Sequence, residues 1–260
     1  MPATANTTKA DVRLGVDIGG SGIKGALIDC VTGEMIGERH RIPTPAGGTP
    51  EGVSSTVAQL ADHFEWSGSI GCGFPAAIRS GQVLTAANIS DDWIGQNAVE
   101  LFQEATGSPL VTVINDADAA GTAEMAFGAG KGRSGLVIMC TLGTGIGTAL
   151  FQDGVLVPNT ELGHLFLSNG LEGEEYASDF VRSNEDLSFK QWGKRVNKYF
   201  KTLEDLFWPD LIIVGGGVSK KSEKWMPYLD LNTEIIPAEM RNNAGIVGAA
   251  AAACEGVQRR

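Results

Sequence analysis

Residues 14–29 read LGVDIGGSGIKGALID. Within them Gly19, Gly20 and Gly22 alternate with the hydroxyl of Ser21, Lys24 follows, and Asp17 ends the apolar run ahead of them. Glycine has no side chain, so consecutive backbone N–H groups can approach phosphate oxygens closely. Ser21 adds a hydroxyl donor and Lys24 a cation. Asp17 is placed to hold Mg²⁺ through water, since carboxylate oxygen suits a hard cation. A near-copy lies further on: GTGIGTAL at 143–150 matches GSGIKGAL at 20–27, sharing G-[ST]-G-I-x-x-A-L. Gly143, Thr144 and Gly145 repeat the glycine–hydroxyl–glycine pattern. Two such tips facing each other would clamp an oligophosphate.

The elements around these loops decide between kinds of glycine loop. Each copy follows an apolar strand and is followed by a strand. A dinucleotide fingerprint needs a helix to open at the loop and an acid about 20 residues later, and neither is present. A protein-kinase loop needs V-A-I-K, H-R-D and D-F-G partners, and His40-Arg41 is followed by Ile. No Walker A pattern occurs. Further along, Thr49-Pro50-Glu51 opens a helix running to about Phe64. SIGCGF reads as a short buried strand, PLVTVIN as a strand ending in polar Asn115-Asp116, residues 95–106 as an amphipathic helix, and DADAAGTAEMAF as a helix after Asn115. Helices are predicted over 174–183 and 188–206, a strand over LIIVGGG, and an Ala-rich helix at the end of the chain. Residues 1–11 read as a disordered lead-in.

Composition bounds the function classes. The 43% hydrophobic and 20% charged fractions over 260 residues are ordinary for a globular chain with a core. The net charge of −11 disfavours a nucleic-acid binder, which normally shows a basic face. No apolar run reaches the ~18 residues of a membrane span. MPATANTTKADVR lacks a signal-peptide core, so a cytoplasmic location is expected. Cys30, Cys72, Cys140 and Cys254 are far apart in sequence and are expected to be buried free thiols in a reducing compartment.

DIGGSGIKGAL resembles the first phosphate loop of the ROK (repressor, open reading frame, kinase) sugar kinases in the actin–hexokinase–Hsp70 superfamily. TLGTGIGTAL is similar to their second phosphate loop. IIVGGGVS at 212–219, with Gly216 and Gly217, resembles their adenosine loop. The resemblance runs from Asp17 to the final helix. It implies an α/β fold of two ribonuclease-H-like (actin-like ATPase) lobes with mixed sheets and an interdomain cleft. Residues 11–115 plus a C-terminal helix 244–257 would form the smaller lobe, and 116–243 the larger.

The same resemblance assigns a sugar site. A sugar hydroxyl is a poor nucleophile until a nearby carboxylate takes its proton. The family pattern places that base on Asp116, in INDAD, and a sugar-binding amide on Asn115. An Asp at a strand–helix junction is ordinarily a helix cap, and Asp118 is placed to take that duty. Glu161 and His164, in ELGH, resemble residues that bind sugar hydroxyls. Asn88, in TAANIS, and Glu174, in GEEYAS, resemble the remaining contacts, with Glu175 the alternative register. Many members follow G-H with a Cys-rich zinc loop. Here no Cys lies between 141 and 253, so no tetrahedral Cys₃His zinc site is expected. Only about a dozen residues precede the first strand, too few for the helix-turn-helix of the family's repressors.

KQWGKRVNKYFK at 190–201 holds five basic residues and no acid. Lys190, Lys194, Lys198 and Lys201 share one helix face, with Arg195 beside them. Such a strip suits a long polyanionic donor, though a solvated helix face is the commoner explanation. Together with the GEEYAS segment, it resembles the polyphosphate glucokinases. That implies phosphorylation of glucose, and of mannose, at the 6-hydroxyl from inorganic polyphosphate and ATP with Mg²⁺. A homodimer is a candidate assembly. An ATP-only hexose or N-acetylhexosamine kinase and a non-catalytic sugar sensor are the competing readings.

Overall fold

The computed structural model describes residues 11–254. The expected disordered lead-in, apart from its last residue, and the end of the final helix beyond 254 lie outside the described residues. The chain forms two compact units. One runs to Ala126 and resumes at Asn243, and the other is Phe127–Asn242.

In the first unit, strands β1 (Val12–Gly19), β2 (Gly22–Asp29) and β3 (Met35–Ile42) form an antiparallel meander. β4 (Ile70–Phe74) and β7 (Val111–Asn115) add in parallel on the other side of β1, giving the order β3-β2-β1-β4-β7. A hairpin of two-residue strands, β5 (Ile78–Arg79) and β6 (Gln82–Val83), was not expected, because strands so short carry no readable alternation. The helices are α1 (Pro50–His63), α2 (Ala98–Thr106), α3 (Asp116–Phe127) and, at the end of the chain, α7 (Ala244–Cys254). Thr49 caps α1 by accepting from Gly52 N, and Pro50 occupies its first turn. Val53, Val57, Leu60 and Ala61 recur at helical spacing and are buried.

α7 lies close against this sheet because glycines let it. A methyl group at Gly71 would collide with the Ala249 carbonyl, and one at Gly248 with the Ala119 carbonyl of α3. The second contact explains why residues 116–126, expected in the larger lobe, group with the first unit.

The second unit repeats the topology. β8 (Leu136–Leu142), β9 (Ile146–Gln152) and β10 (Val155–Val157) form a meander. β11 (Leu211–Gly215) and β12 (Glu234–Pro237) extend it in parallel, in the order β10-β9-β8-β11-β12. Its helices are α4 (Gly173–Ala177), α5 (Asp179–Asn184) and α6 (Phe189–Phe207). The expected helix over 174–183 is two helices, broken at Ser178. The Trp192 indole donates to the Ala177 and Ser178 carbonyls, and the Ser178 hydroxyl caps α5 through Val181 N. α6 is capped by Ser188 and buries Trp192, Val196, Tyr199, Phe200 and Leu203 along one face.

The cysteines correct one expectation. Cys72 and Cys140 are buried free thiols, but Cys30 and Cys254 form a disulfide with Cα atoms 6.3 Å apart. They are 224 residues apart in sequence, and the packing of α7 brings them together. Among the described residues no helix is long and apolar enough to cross a membrane.

Candidate active site

The first glycine loop is the tip of the β1–β2 hairpin. Its register pairs Gly19 with Gly22 and Asp17 with Lys24, which leaves Gly20 and Ser21 as a two-residue loop. Lys24 Nζ donates to Asp17 Oδ2 at 2.9 Å. The expected cation and the expected metal-holding carboxylate are therefore an ion pair. Two side chains tie down the tip's carbonyls: Thr44 Oγ1 donates to Gly19 O (2.5 Å), and Arg41 Nη2 donates to Ser21 O (2.6 Å). Arg41 is a cation at this loop that its position in β3 gave no sequence cue for. α7 begins behind Asp17, and a methyl at Gly245 would sit 2.9 Å from the Asp17 carboxyl carbon.

Asn88 stands beside the same loop. A methyl at Gly20 would lie 2.7 Å from the Asn88 carbonyl oxygen. Asn88 is left-handed (φ 60°), a conformation Asn tolerates better than most residues. Gly20, Asn88 and Ile89 line an open cavity of about 400 Å³ with Thr44, Pro45, Ala46, Gly47 and Gly48. The segment 45–48 was not anticipated, although the Gly-Gly pair within TPAGGTP hinted at a shaped loop. The Trp93 indole fixes it by donating to Gly48 O at 2.9 Å.

At the β7–α3 junction the capping duty falls on Asn115, not on Asp118. Asn115 Oδ1 accepts from Ala117 N (2.8 Å) and Asp118 N (3.1 Å), while its Nδ2 donates to Ala76 O (3.2 Å). Asn115 is buried. Asp116 is exposed at the start of α3, and its Oδ1 accepts from Ala117 N at 2.8 Å. The positive end of the helix dipole favours an anion there.

In the second unit, β8 and β9 pair Leu142 with Ile146, so Gly143, Thr144 and Gly145 form a three-residue loop. Gly143 N donates to Gly145 O, and Phe180 N donates to Gly143 O, both at 3.0 Å. Ile146 N donates to Glu174 Oε2 at 3.2 Å. A 3₁₀ turn, Leu162–His164, follows Glu161. His164 Nδ1 lies 2.7 Å from Glu172 Oε2 and 3.9 Å from Glu174 Oε1. Glu175 faces elsewhere, accepting from Glu172 N at 3.0 Å. The structure thus gathers Glu161, His164 and Glu174 near one another, and adds Glu172, which the motifs did not mark.

Electrostatics follow from this crowding. Burial raises the Glu161 carboxyl above its ordinary range; Glu174 adds to the shift and His164 opposes it. The Glu172 hydrogen bond raises the His164 imidazole. Partial burial opposes that, and the charges of Glu174, Glu172 and Glu161 add to it.

Gly216 and Gly217 end β11. Gly216 has φ 84°, and any side chain there would strike the backbone of Leu142 at the end of β8. On α6, Lys190 and Lys194 are exposed. Arg195 pairs with Glu185 (2.6 Å) and Lys201 with Glu204 (2.9 Å), while Lys198 lies over the Tyr176 ring.

The ROK family model matches residues 13–176. The polyphosphate glucokinase of Mycobacterium tuberculosis strain H37Rv is 45% identical over 254 residues, covering 96% of both chains. The chain belongs to the ROK family. Among solved ROK-like structures, the inorganic polyphosphate/ATP-glucomannokinase from Arthrobacter sp. strain KM is 46% identical, with TM-score 0.86 over 92% of this chain and 96% of that one. The ROK family glucokinase from Streptomyces griseus, in complex with glucose and AMPPNP, is 26% identical, with TM-score 0.77 over 94% of this chain and 100% of that one. The two mixed sheets with helices found here are the ROK, actin-like ATPase architecture.

Proposed function

We propose that the protein is a sugar kinase that moves the terminal phosphoryl of inorganic polyphosphate, or of ATP, to the 6-hydroxyl of glucose, with mannose as a second acceptor. The observation that carries this reading is the 45% identity to a polyphosphate glucokinase, which holds across nearly the full length of both chains. The residues fit the chemistry. Asp116 takes the O6 proton as the new P–O bond forms and the bond to the leaving phosphate breaks. Asn88, Glu161, His164 and Glu174 orient the sugar, and the glycine loops offer N–H donors to the transferring group. Asn115 contributes by fixing the turn that presents Asp116.

A divalent metal is generally needed by kinases of this kind. The Asp17 carboxylate is an oxygen donor suited to Mg²⁺ and would hold it together with water. Magnesium bound there would neutralise charge on the donor phosphates. Lys24, paired with Asp17, adds a cation at the same loop. Lys190 and Lys194, exposed on α6, are the strip residues best placed to meet a long polyanion.

The test is a glucose 6-phosphate assay with Mg²⁺ and either polyphosphate or ATP. Turnover with both donors is expected, and turnover with ATP alone would leave an ATP-only kinase. Asp116→Ala is expected to lower kcat by roughly 10³-fold while glucose binding stays measurable. Near-normal turnover in that variant removes Asp116 from the base role.

A further inference from the structure

We propose that Glu172 is a positioning residue for the sugar site: its carboxylate holds the Nδ1 side of His164, so that Nε2 is the nitrogen the ring offers to a sugar hydroxyl. The inference rests on the reading that His164 contacts sugar. The contact is short, 2.7 Å from His164 Nδ1 to Glu172 Oε2. The His164 side chain is 55% exposed, so little else restrains the ring. An imidazole free to flip would present either nitrogen, and ordering it on binding would cost entropy.

The backbone delivers Glu172 to this place. Gly173 N donates to Leu165 O (3.0 Å) and Leu167 N to Leu171 O (2.8 Å), while Phe166 and Glu172 form an antiparallel bridge. Residues 165–173 therefore leave His164 and return beside it. The Glu175 carboxylate accepts from Glu172 N at 3.0 Å, a capping contact at the start of α4 that leaves the Glu172 carboxylate to His164. Glu174, the other nearby acid, lies farther off at 3.9 Å and is engaged by Ile146 N. Glu172 is thus the partner that selects the tautomer, with Nδ1 donating. Nε2 makes no hydrogen bond among the described residues. Glu161, Glu172 and Glu174 are the ionisable groups that face the ring, and all three favour its protonated form.

The test compares Glu172→Ala, Glu172→Gln, Glu175→Ala and His164→Ala in steady-state kinetics and in ¹H–¹⁵N histidine spectra. With three histidines in the chain, the spectra can be assigned. Glu172→Ala is expected to raise the glucose KM about tenfold, with the donor KM changed less than about twofold. Glu172→Gln is expected to restore most of the affinity, because its amide oxygen still accepts from Nδ1–H. It should also lower the pH at which His164 titrates, because the negative charge is gone. Glu175→Ala breaks the capping contact alone and is expected to stay within about twofold of wild type.

A wild-type glucose KM in Glu172→Ala overturns the proposal. So does an equal loss in Glu175→Ala, which would make Glu172 only a helix cap. His164, Glu172 and Glu174 offer ligand atoms within 4.8 Å of one another. One zinc ion retained per wild-type chain on dialysis, and lost in Glu172→Ala, would therefore make Glu172 a metal ligand and overturn the proposal too. If His164→Ala leaves the glucose KM unchanged, the sugar-contact reading is what fails, and the His164 titration still reports whether Glu172 holds the ring.

Discussion

The β1–β2 and β8–β9 hairpins share the letters G-[ST]-G-I-x-x-A-L but are not the same loop. The first turns over two residues, Gly20 and Ser21, and the second over three, Gly143 to Gly145. Gly22 is therefore a strand residue, while Gly145, its match by letters, belongs to the turn. The charges differ as well. The first hairpin carries the Asp17–Lys24 pair and is braced by Arg41. The corresponding letters in the second are the buried Cys140 and Gly147, and the acid beside that loop, Glu174, comes from α4. Both copies keep a glycine-rich tip. The first holds its own charge, whereas the second borrows one from a residue assigned to the sugar.

The sharpest way to break that contrast is to remove the first hairpin's charge. Asp17→Asn keeps the shape but loses the anion, and is expected to lower kcat/KM by roughly 10²–10³-fold with either donor. The unfolding midpoint should barely move, because an ion pair still in contact with solvent is worth only about 1 kcal/mol or less. Steady-state assays with varied Mg²⁺ check it, and a loss under tenfold would remove the distinction between the hairpins.

The second hairpin is tested by Glu174→Gln. Its carboxylate joins Ile146 N to the surroundings of His164, so it should affect both substrates. The glucose KM is expected to rise about tenfold and the donor KM a few-fold. A double-mutant cycle with Thr144→Ala should show a coupling of about 0.5 kcal/mol or more. Strict additivity would mean that the loop and the sugar carboxylate act independently.

These differences also show what the sequence could reveal. α3 was readable to its ends because the motif around Asn115 marks its start and an alanine-rich run follows. The two sheets were readable through the repeat and the apolar strands, except β12, whose four residues carry too little alternation to mark a strand. The turn lengths were not, because identical letters fit two- and three-residue loops alike. The α4–α5 break depends on an indole fourteen residues beyond Ser178 taking its carbonyl. Arg41 and Glu172 are brought beside Ser21 and His164 by reversals of the chain, and no local motif encodes such a return. Asp116, Glu161 and His164 stood out because the motifs that mark them, INDAD and ELGH, are short and contiguous.

The smallest expected effect on activity, though not on stability, concerns the disulfide, which also separates the units. Cys30 follows β2 and Cys254 ends α7, so the bond fastens the helix that begins behind Asp17. The second unit's Cys140 remains a thiol, pushed up to about 12 by burial against a weaker opposing hydrogen bond from Tyr199, and so is protonated and inert. Under denaturing, non-reducing conditions a thiol reagent should count two groups, Cys72 and Cys140, and four after reduction. Closing so long a loop should stabilise the fold by roughly 2–5 kcal/mol, lost on reduction or in Cys30→Ser. Turnover at 25 °C should change by less than about twofold, because Gly71, Gly248 and the alanines of α7 still seat the helix. Four thiols without reductant would refute the bond. A large loss of turnover on reduction would instead mean that the clasp, and not the glycine packing, sets the position of Asp17.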